Sequence, residues 1–300
     1  MHAVNTAARS GAGTEVAYHR AAIQGQDIFY REAGPADAPV VVLLHGFPSS
    51  SHMFRNLIPA LADRYRVIAP DYPGFGQSSA PAPEAFAYSF DKLADVVEAL
   101  LEGLGIRRYA LYMQDYGGPV GFRLAVRHPE RVTGLVVQNA VANLEGFHAN
   151  AAAAFGPYWT DRNAETEKPV RGFLAAETTR FQYEHGSSSR ADRLSPDTWT
   201  HDQALLDRPG NDRIQLELLY RYQDNVGAYP AFQSYLKDRQ PNILVVWGDN
   251  DPFFTAEGRD LFKALVPATE VHAFDAGHFA LETHLPEIAG AIRGFLARVA

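Results

Sequence analysis

The 300-residue sequence contains no cysteine. Disulfide bonds, thiolate nucleophiles and metal sites built on cysteine are therefore excluded. Basic residues are in the minority, with 27 Lys and Arg against 35 Asp and Glu, and they form no run. The resulting net charge of -8 argues against nucleic acid and anionic membrane surfaces as partners.

Long apolar runs are missing as well. No stretch reaches the roughly 18 apolar residues that a membrane-spanning helix needs, and the N-terminus lacks the basic-then-apolar pattern of a secretory signal. Residues 1–14 are rich in Ala, Ser, Gly and Thr and are predicted to form a flexible tail. A cytoplasmic protein is expected. The sequence leaves the oligomeric state open, a homodimer included.

The rest of the chain alternates between strand and helix patterns. Residues 16–23 and 27–31 carry β-forming side chains around Gly25 and predict an antiparallel hairpin. Further strands, several with the continuous apolar run of a strand buried on both faces, are predicted at residues 40–44, 67–69, 109–113, 132–137, 243–247 and 270–274. Helical spacing is found at residues 53–61, 89–104, 119–126 and 288–299. This alternation predicts an α/β fold with a mostly parallel sheet flanked by helices.

The strand pattern stops between about residue 141 and residue 236. This segment is rich in Tyr, Phe, Trp, Arg and Asp, and its spacing is helical wherever it is periodic. We therefore predict a core domain formed by residues 15–140 and 237–300. A helical cap, residues 141–236, is predicted to be inserted between its strands.

The sequence MQDYGG, residues 113–118, joins a predicted strand to a predicted helix with almost no loop. Such a turn, the nucleophile elbow, lifts its apex side chain above the carboxyl ends of the strands. The apex residue is usually serine, whereas here it is Asp115. Gly117 supplies the small residue that a crowded turn requires. Alternatively, Asp115 only caps the helix that follows.

Two further segments follow the ends of the last two predicted strands. His278 lies on a glycine-containing loop, and both Asp249 and Asp251 lie in the loop before it along the chain. An acid in that loop can hold the imidazole in the right tautomer, although turns rich in Asp and Asn are common without such a role. The order nucleophile, acid, histidine is the one expected with a nucleophile elbow.

A further strand end carries the sequence HGFP, residues 45–48. Gly46 allows the backbone to turn so that the Phe47 N–H points toward the carboxyl edge of the sheet. The N–H of Tyr116, directly after the apex aspartate, is its expected partner. These two groups are predicted to form an oxyanion hole. Taken alone, HGFP is also compatible with an ordinary β-turn.

Five segments together resemble the α/β-hydrolases of the epoxide hydrolase and haloalkane dehalogenase group. They are HGFP at residues 45–48, DYPGFGQS at 71–78, QDYGG at 114–118, GDND at 248–251 and GHF at 277–279. The resemblance covers about residues 15–140 and 240–300. It implies the α/β-hydrolase fold and a triad of Asp115, Asp251 and His278.

An aspartate nucleophile has chemical consequences. A carboxylate is ionised at neutral pH and suits attack on a saturated carbon, which gives an alkyl ester of Asp115. His278 would then activate a water molecule that cleaves this ester, while Asp251 holds the imidazole. The triad supplies everything this chemistry requires, so no organic cofactor or metal is expected. The expected reactants are a small apolar organic substrate and water.

Departures from the family pattern bear on the substrate. Met113 stands where many relatives have Gly. Tyr116 stands where haloalkane dehalogenases usually place a halide-binding Trp, and Phe47 where some of them have Asn. Haloacetate dehalogenases carry an Arg after the nucleophile, which is missing here. The differences at Tyr116 and Phe47 weigh against a haloalkane, so an epoxide is favoured.

In epoxide hydrolases of this group, two cap tyrosines protonate the leaving oxygen. Tyr222 and Tyr158 best match them by position, although the chain has 14 tyrosines and aromatic residues often only line a pocket. The resemblance therefore implies hydrolysis of an epoxide to a vicinal diol. The alternatives are a haloalkane dehalogenase that binds halide through Trp159 or another cap aromatic, another α/β-hydrolase activity, or a ligand-binding receptor on the same fold.

Overall fold

A computed structural model describes residues 13–299 of the chain. The predicted N-terminal tail, residues 1–14, lies almost entirely outside the described residues. The strands are β1 (Ala17–Ile23), β2 (Gln26–Ala33), β3 (Val40–Leu44), β4 (Arg66–Pro70), β5 (Tyr109–Gln114), β6 (Val132–Gln138), β7 (Ile243–Gly248) and β8 (Glu270–Phe274). They form one sheet in the order β1-β2-β4-β3-β5-β6-β7-β8. The β1–β2 and β2–β4 pairs are antiparallel and the other pairs are parallel, which confirms the predicted mostly parallel sheet.

Helices flank the sheet and fill the segment between β6 and β7. They are α1 (Leu57–Leu61), α2 (Phe90–Gly103), α3 (Gly117–Arg127), α4 (Ala149–Thr160), α5 (Ala164–Arg171), α6 (Ala176–Glu184), α7 (Asp197–Leu206), α8 (Asn211–Arg239), α9 (Ala256–Leu265), α10 (Ala280–Thr283) and α11 (Leu285–Val299). None of the helices described between residues 13 and 299 is long and apolar enough to cross a membrane.

The continuous apolar runs reflect a sheet that is covered on both faces. In β3, Val42 and Leu44 belong to a core that includes side chains of α2, α3 and α8. Val41 and Leu43 point the other way, into a second core with side chains of α1 and α11. Because successive strand residues face opposite sides, both faces need apolar side chains and the run cannot alternate with polar residues.

The predicted helix at residues 53–61 is wrong in its extent. The structure has a 3₁₀ turn at Ser51–Phe54, followed by the five-residue helix α1 at Leu57–Leu61. Pro59 explains the break, because it has no N–H to donate and its ring excludes a helical carbonyl four residues earlier, at Arg55.

The segment between β6 and β7 is helical. No residue from 139 to 242, a range that is described throughout, belongs to a strand of the sheet. The predicted boundary at residues 236 and 237 falls inside α8, which continues to Arg239. The 29-residue helix α8 contacts both α2 and α3. It therefore joins this helical segment firmly to the core.

Asp202 of α7 is a buried carboxyl group within the helical segment. Its Oδ2 accepts a hydrogen bond of 2.5 Å from the hydroxyl of Tyr183. Burial raises the pKa of Asp202 to about 8, against the opposing effect of that hydrogen bond, and nearby Glu282 adds to the rise. Asp202 therefore keeps its proton at neutral pH.

The protonation of Asp202 makes the stability of the protein depend on pH. The pKa is raised in the folded state, so the stabilisation from this proton is present at low pH and lost as pH rises through the folded pKa. Between about pH 7 and pH 9, the free energy of unfolding of the wild type should fall by about 1 kcal/mol more than that of an Asp202→Asn variant. Urea unfolding of both proteins at the two pH values measures this difference. Equal losses in the two proteins would contradict it.

Candidate active site

The connection between β5 and α3 is a sharp turn with Asp115 at its apex. Asp115 has a φ of 49°, a left-handed conformation that strains residues other than glycine. A Cβ on Gly117 would lie 2.1 Å from the Leu44 carbonyl oxygen, so only glycine fits there. The N-cap residue of α3 is Tyr116 and not Asp115, and within the described part of the chain no side-chain hydrogen bond caps this helix.

The Asp115 carboxylate faces two backbone N–H groups. The Phe47 N–H donates to Asp115 Oδ1 at 2.7 Å. The N–H of Tyr116 also bonds to the carboxylate and lowers its pKa. A Cβ on Gly46 would lie 2.3 Å from the Asp115 Cβ, so this close approach requires glycine. Both predicted oxyanion donors therefore meet at one carboxyl group.

His278 and Asp251 form a buried pair beside Asp115. His278 Nδ1 lies 2.8 Å from Asp251 Oδ2. The other oxygen, Oδ1, accepts from the N–H groups of Phe253 and Phe254 at 2.8 and 3.2 Å. A carboxylate fixed by several donors holds the imidazole in one orientation.

The structure separates the two candidate acids. Asp251 is 2% exposed and contacts the imidazole, whereas Asp249 forms an ion pair with Arg259 at the surface. Asn139, at the end of β6, donates from Nδ2 to Asp251 Oδ2 at 2.8 Å and to the Gly248 carbonyl oxygen at 3.1 Å. Asn139 therefore ties the acid loop to the neighbouring strand.

The charges of the site depend on one another. Burial raises the pKa of Asp115, against the opposing effects of His278 and of the N–H groups of Phe47 and Tyr116. Burial alone would lower the pKa of His278, but Asp251 and Asp115 outweigh burial and leave it raised. Loss of the negative charge on Asp115 would remove one of the causes that hold a proton on His278. Conversion of Asp115 to an ester would therefore favour the neutral imidazole.

A cavity of about 50 Å³ lies over Asp115, between the core and the helical segment. Its polar lining groups belong to Asp115, Tyr116, Gln182, Tyr222 and His278. The remaining lining residues are apolar: Phe47, Phe147, Ala151, Phe155, Phe173, Leu219, Phe253 and Phe254. A small, largely apolar molecule is the ligand that such a lining accepts.

The structure brings Tyr222 to this cavity but not Tyr158. Burial raises the pKa of Tyr222 well above its ordinary value, with further contributions from Tyr229 and Asp115, so its hydroxyl stays protonated. Tyr158 is fully buried outside the cavity, and its hydroxyl donates to the Leu216 carbonyl oxygen at 3.3 Å. The structure therefore does not place Tyr158 beside Asp115 as a donor to substrate, and that hydroxyl instead joins α4 to α8.

Trp159 does not supply an indole donor either. Its Nε1–H donates to the Leu219 carbonyl oxygen at 2.9 Å, and no Trp among the described residues lines the cavity. Gln182, on α6, does offer an N–H group. Its Nε2 is buried and has no hydrogen-bond partner within the described part of the chain.

Sequence reasoning did not find Gln182 or Asn139. Asn139 directly follows a predicted strand, as the triad candidates do, so its position at a strand end is a usable signal. Gln182 lies in a helical segment with no motif, and only the fold shows that it lines the same cavity as Asp115. Across residues 13–299, no three His, Asp or Glu side chains are grouped to hold a metal ion.

Comparisons with known proteins agree with this fold. A family model described as the alpha/beta hydrolase fold matches residues 39–285. An uncharacterised hydrolase of Saccharomyces cerevisiae is 41% identical over 93% of this chain and 97% of its own. A cis-3-alkyl-4-alkyloxetan-2-one decarboxylase of Xanthomonas campestris is 30% identical over 90% of this chain and 92% of its own. A haloalkane dehalogenase of Mycobacterium marinum is 31% identical over 87% of this chain and 85% of its own.

Solved structures are similar over nearly the whole chain. The haloalkane dehalogenase DbeA from Bradyrhizobium elkani superposes with a TM-score of 0.73 at 26% identity, over 95% of this chain and 100% of that one. The epoxide hydrolase CorEH gives a TM-score of 0.77 at 22% identity, over 95% of this chain and 99% of that one. At that identity, the likeness to CorEH concerns the fold.

Proposed function

The chain belongs to the α/β-hydrolase family and is a hydrolase, and we propose that it opens small epoxides to vicinal diols through an ester on Asp115. The observation that carries this proposal is the pairing of groups in one cavity. Asp115 and Tyr222 both line it. Burial, with Tyr229 and Asp115, raises the pKa of Tyr222 and keeps its hydroxyl protonated, so a nucleophile and an acid can reach one small molecule.

The first step would form the ester. An oxygen of Asp115 attacks a ring carbon of the epoxide, and the carbon–oxygen bond of the ring breaks. The released oxygen takes the proton of the Tyr222 hydroxyl. Asp115 needs no base for this step because its carboxylate is the nucleophile in its ionised form.

The second step would release the diol. His278 takes a proton from water, and the hydroxide adds to the carboxyl carbon of the Asp115 ester. The N–H groups of Phe47 and Tyr116 stabilise the oxyanion that forms. When this intermediate collapses, His278 returns its proton to the departing alkoxide and Tyr222 recovers the proton of the new carboxyl group.

The helical segment would act as the predicted cap. Tyr222, Gln182 and Phe155 come from α8, α6 and α4, so the segment that closes over Asp115 also supplies most of the substrate contacts. Excluding bulk water strengthens the electrostatic interactions in the cavity. The cytoplasmic location and the homodimer stay predictions.

Haloalkane dehalogenation is the second candidate, and Gln182 favours it. A departing halide needs weak N–H donors. Gln182 lines the cavity, and its Nε2 has no hydrogen-bond partner among residues 13–299. The relative in Mycobacterium marinum carries that activity in its name. The relative in Xanthomonas campestris is named for an oxetan-2-one, a strained oxygen ring, which supports the epoxide instead.

Two variants distinguish these candidates. In a side-by-side screen of small epoxides and haloalkanes, we expect diol release and no halide release. Tyr222→Phe should raise the activation free energy of ester formation from an epoxide by about 2–4 kcal/mol, the effect of losing one donor to a developing oxyanion. Rapid-quench measurement of the ester gives this rate.

Tyr158→Phe is the matched control, because its hydroxyl bonds to a backbone carbonyl outside the cavity. It should leave the rate of ester formation close to that of the wild type. The epoxide proposal would be wrong if haloalkanes turn over and epoxides do not. Halide release that is slowed by Gln182→Leu but not by Tyr222→Phe would then support the dehalogenase.

A further inference from the structure

Gln114, the last residue of β5, has a fully buried side chain that the steps above do not use. Its Nε2 lies 2.9 Å from His278 Nε2. That ring nitrogen is the one that must accept a proton from water. The amide of Gln114 therefore touches the base at its reacting atom, although it does not line the substrate cavity.

The contact fixes the proton on the imidazole. Asp251 can only accept at His278 Nδ1, so Nδ1 carries the hydrogen and Nε2 of the neutral ring carries a lone pair. Before the water enters, the Gln114 amide N–H donates to that lone pair. Gln114 and Asp251 thus hold the ring from both sides, in the tautomer that can deprotonate water.

The other atom of the amide points toward the nucleophile. Gln114 Oε1 is buried and has no hydrogen-bond partner among residues 13–299. A Cβ on Gly46 would lie 2.5 Å from Gln114 Oε1 and 2.5 Å from Asp115 Oδ1, so these two oxygens are neighbours. The amide therefore extends from His278 to Asp115, the two groups that the hydrolytic water must reach.

We propose that Gln114 positions the water that cleaves the Asp115 ester. The water replaces the Gln114 N–H at the lone pair of His278 Nε2. One of its hydrogens goes to this nitrogen, and the other is held by Gln114 Oε1 while the oxygen adds to the carboxyl carbon. An acceptor for the second hydrogen orients the lone pair of the water toward that carbon. This role rests on the proposed ester mechanism and concerns its second step.

The neighbouring strand offers a matched control. Gln138 ends β6, pairs in register with Gln114 and is equally buried. It donates from Nε2 to the backbone carbonyl oxygen of His278 at 3.3 Å and accepts from the Tyr112 hydroxyl, and none of the hydrogen bonds within residues 13–299 joins it to the ring. Gln114→Met and Gln138→Met therefore each remove one buried amide, and they differ in its contact with the imidazole.

The test compares the two half-reactions in each variant. In Gln114→Met, the ratio of ester hydrolysis to ester formation should fall about tenfold, the effect of one hydrogen bond in the transition state. The same ratio should stay near the wild-type value in Gln138→Met. Rapid quench with intact-mass detection of the ester gives both rates. An unchanged ratio in Gln114→Met, or an equal fall in both variants, would overturn the proposal.

Gln114→Glu tests the contact without any substrate. A carboxylate beside the imidazole should raise the pKa of His278 by about one pH unit or more, read from an NMR titration of the ring. Ester hydrolysis should shift to higher pH by the same amount, because it needs the neutral ring. An unmoved pKa would refute the contact. Absence of any ester in the wild type would instead refute the proposed function, whatever the titration gives.

Discussion

Asp115→Asn is expected to abolish turnover. The amide keeps the shape of the carboxyl group and its oxygen can still accept the Phe47 N–H, but it is not a nucleophile at neutral pH. Loss of a nucleophile in an intact site costs on the order of 10⁴-fold or more in rate, since the other groups of the site act only through it. Initial rates on freshly purified protein measure the loss, before deamidation can restore the acid.

The same variant should fold at least as well as the wild type. Burial raises the pKa of Asp115 in the folded protein. The free energy of unfolding therefore falls as the pH rises through that pKa and the buried carboxyl group ionises. Asparagine has no charge to bury and avoids this loss of stability. An inactive variant with an unchanged or higher melting temperature is therefore the expected result. Full activity in fresh protein would exclude Asp115 as the nucleophile.

The core of the fold can be predicted from the sequence because its signals are local. Strands that are buried on both faces need continuous apolar runs, and residues 40–44 and 109–113 lie within β3 and β5. The amphipathic helix predicted at residues 89–104 matches α2, where Ser89 accepts the cap hydrogen bond from the Lys92 N–H. By contrast, α9 is absent from the predicted helices, although Leu261 and Leu265 lie one helical turn apart and pack against the core beside Phe262.

The positions of site residues can be predicted from the sequence only where these residues directly follow strand ends. Parallel strands end at one edge of the sheet, so residues that directly follow β3, β5, β7 and β8 must lie near one another. Asp115, Asp251 and His278 are placed in this way. The helical segment has no such register, so position along the chain could not distinguish Tyr222, which lines the cavity, from Tyr158, which does not.

His278→Gln is expected to separate the two steps of the reaction. Glutamine cannot take a proton from water, so the ester should form but persist, with hydrolysis slowed by about 10²–10⁴-fold. The enzyme should therefore accumulate as a covalent adduct after one round of ester formation. Intact-mass measurement detects the adduct, and peptide mapping locates it at Asp115.

The pH of this experiment matters, because His278 lowers the pKa of Asp115 and its removal lets that pKa rise further. The nucleophile is then ionised less at low pH, so the adduct should form faster as the pH is raised. The mass of the adduct also identifies the chemistry. An epoxide adds its whole mass, since the leaving oxygen stays attached, whereas a haloalkane adds only its alkyl group. If no adduct forms at any pH at which the wild type turns over, either His278 acts before the ester or no ester exists.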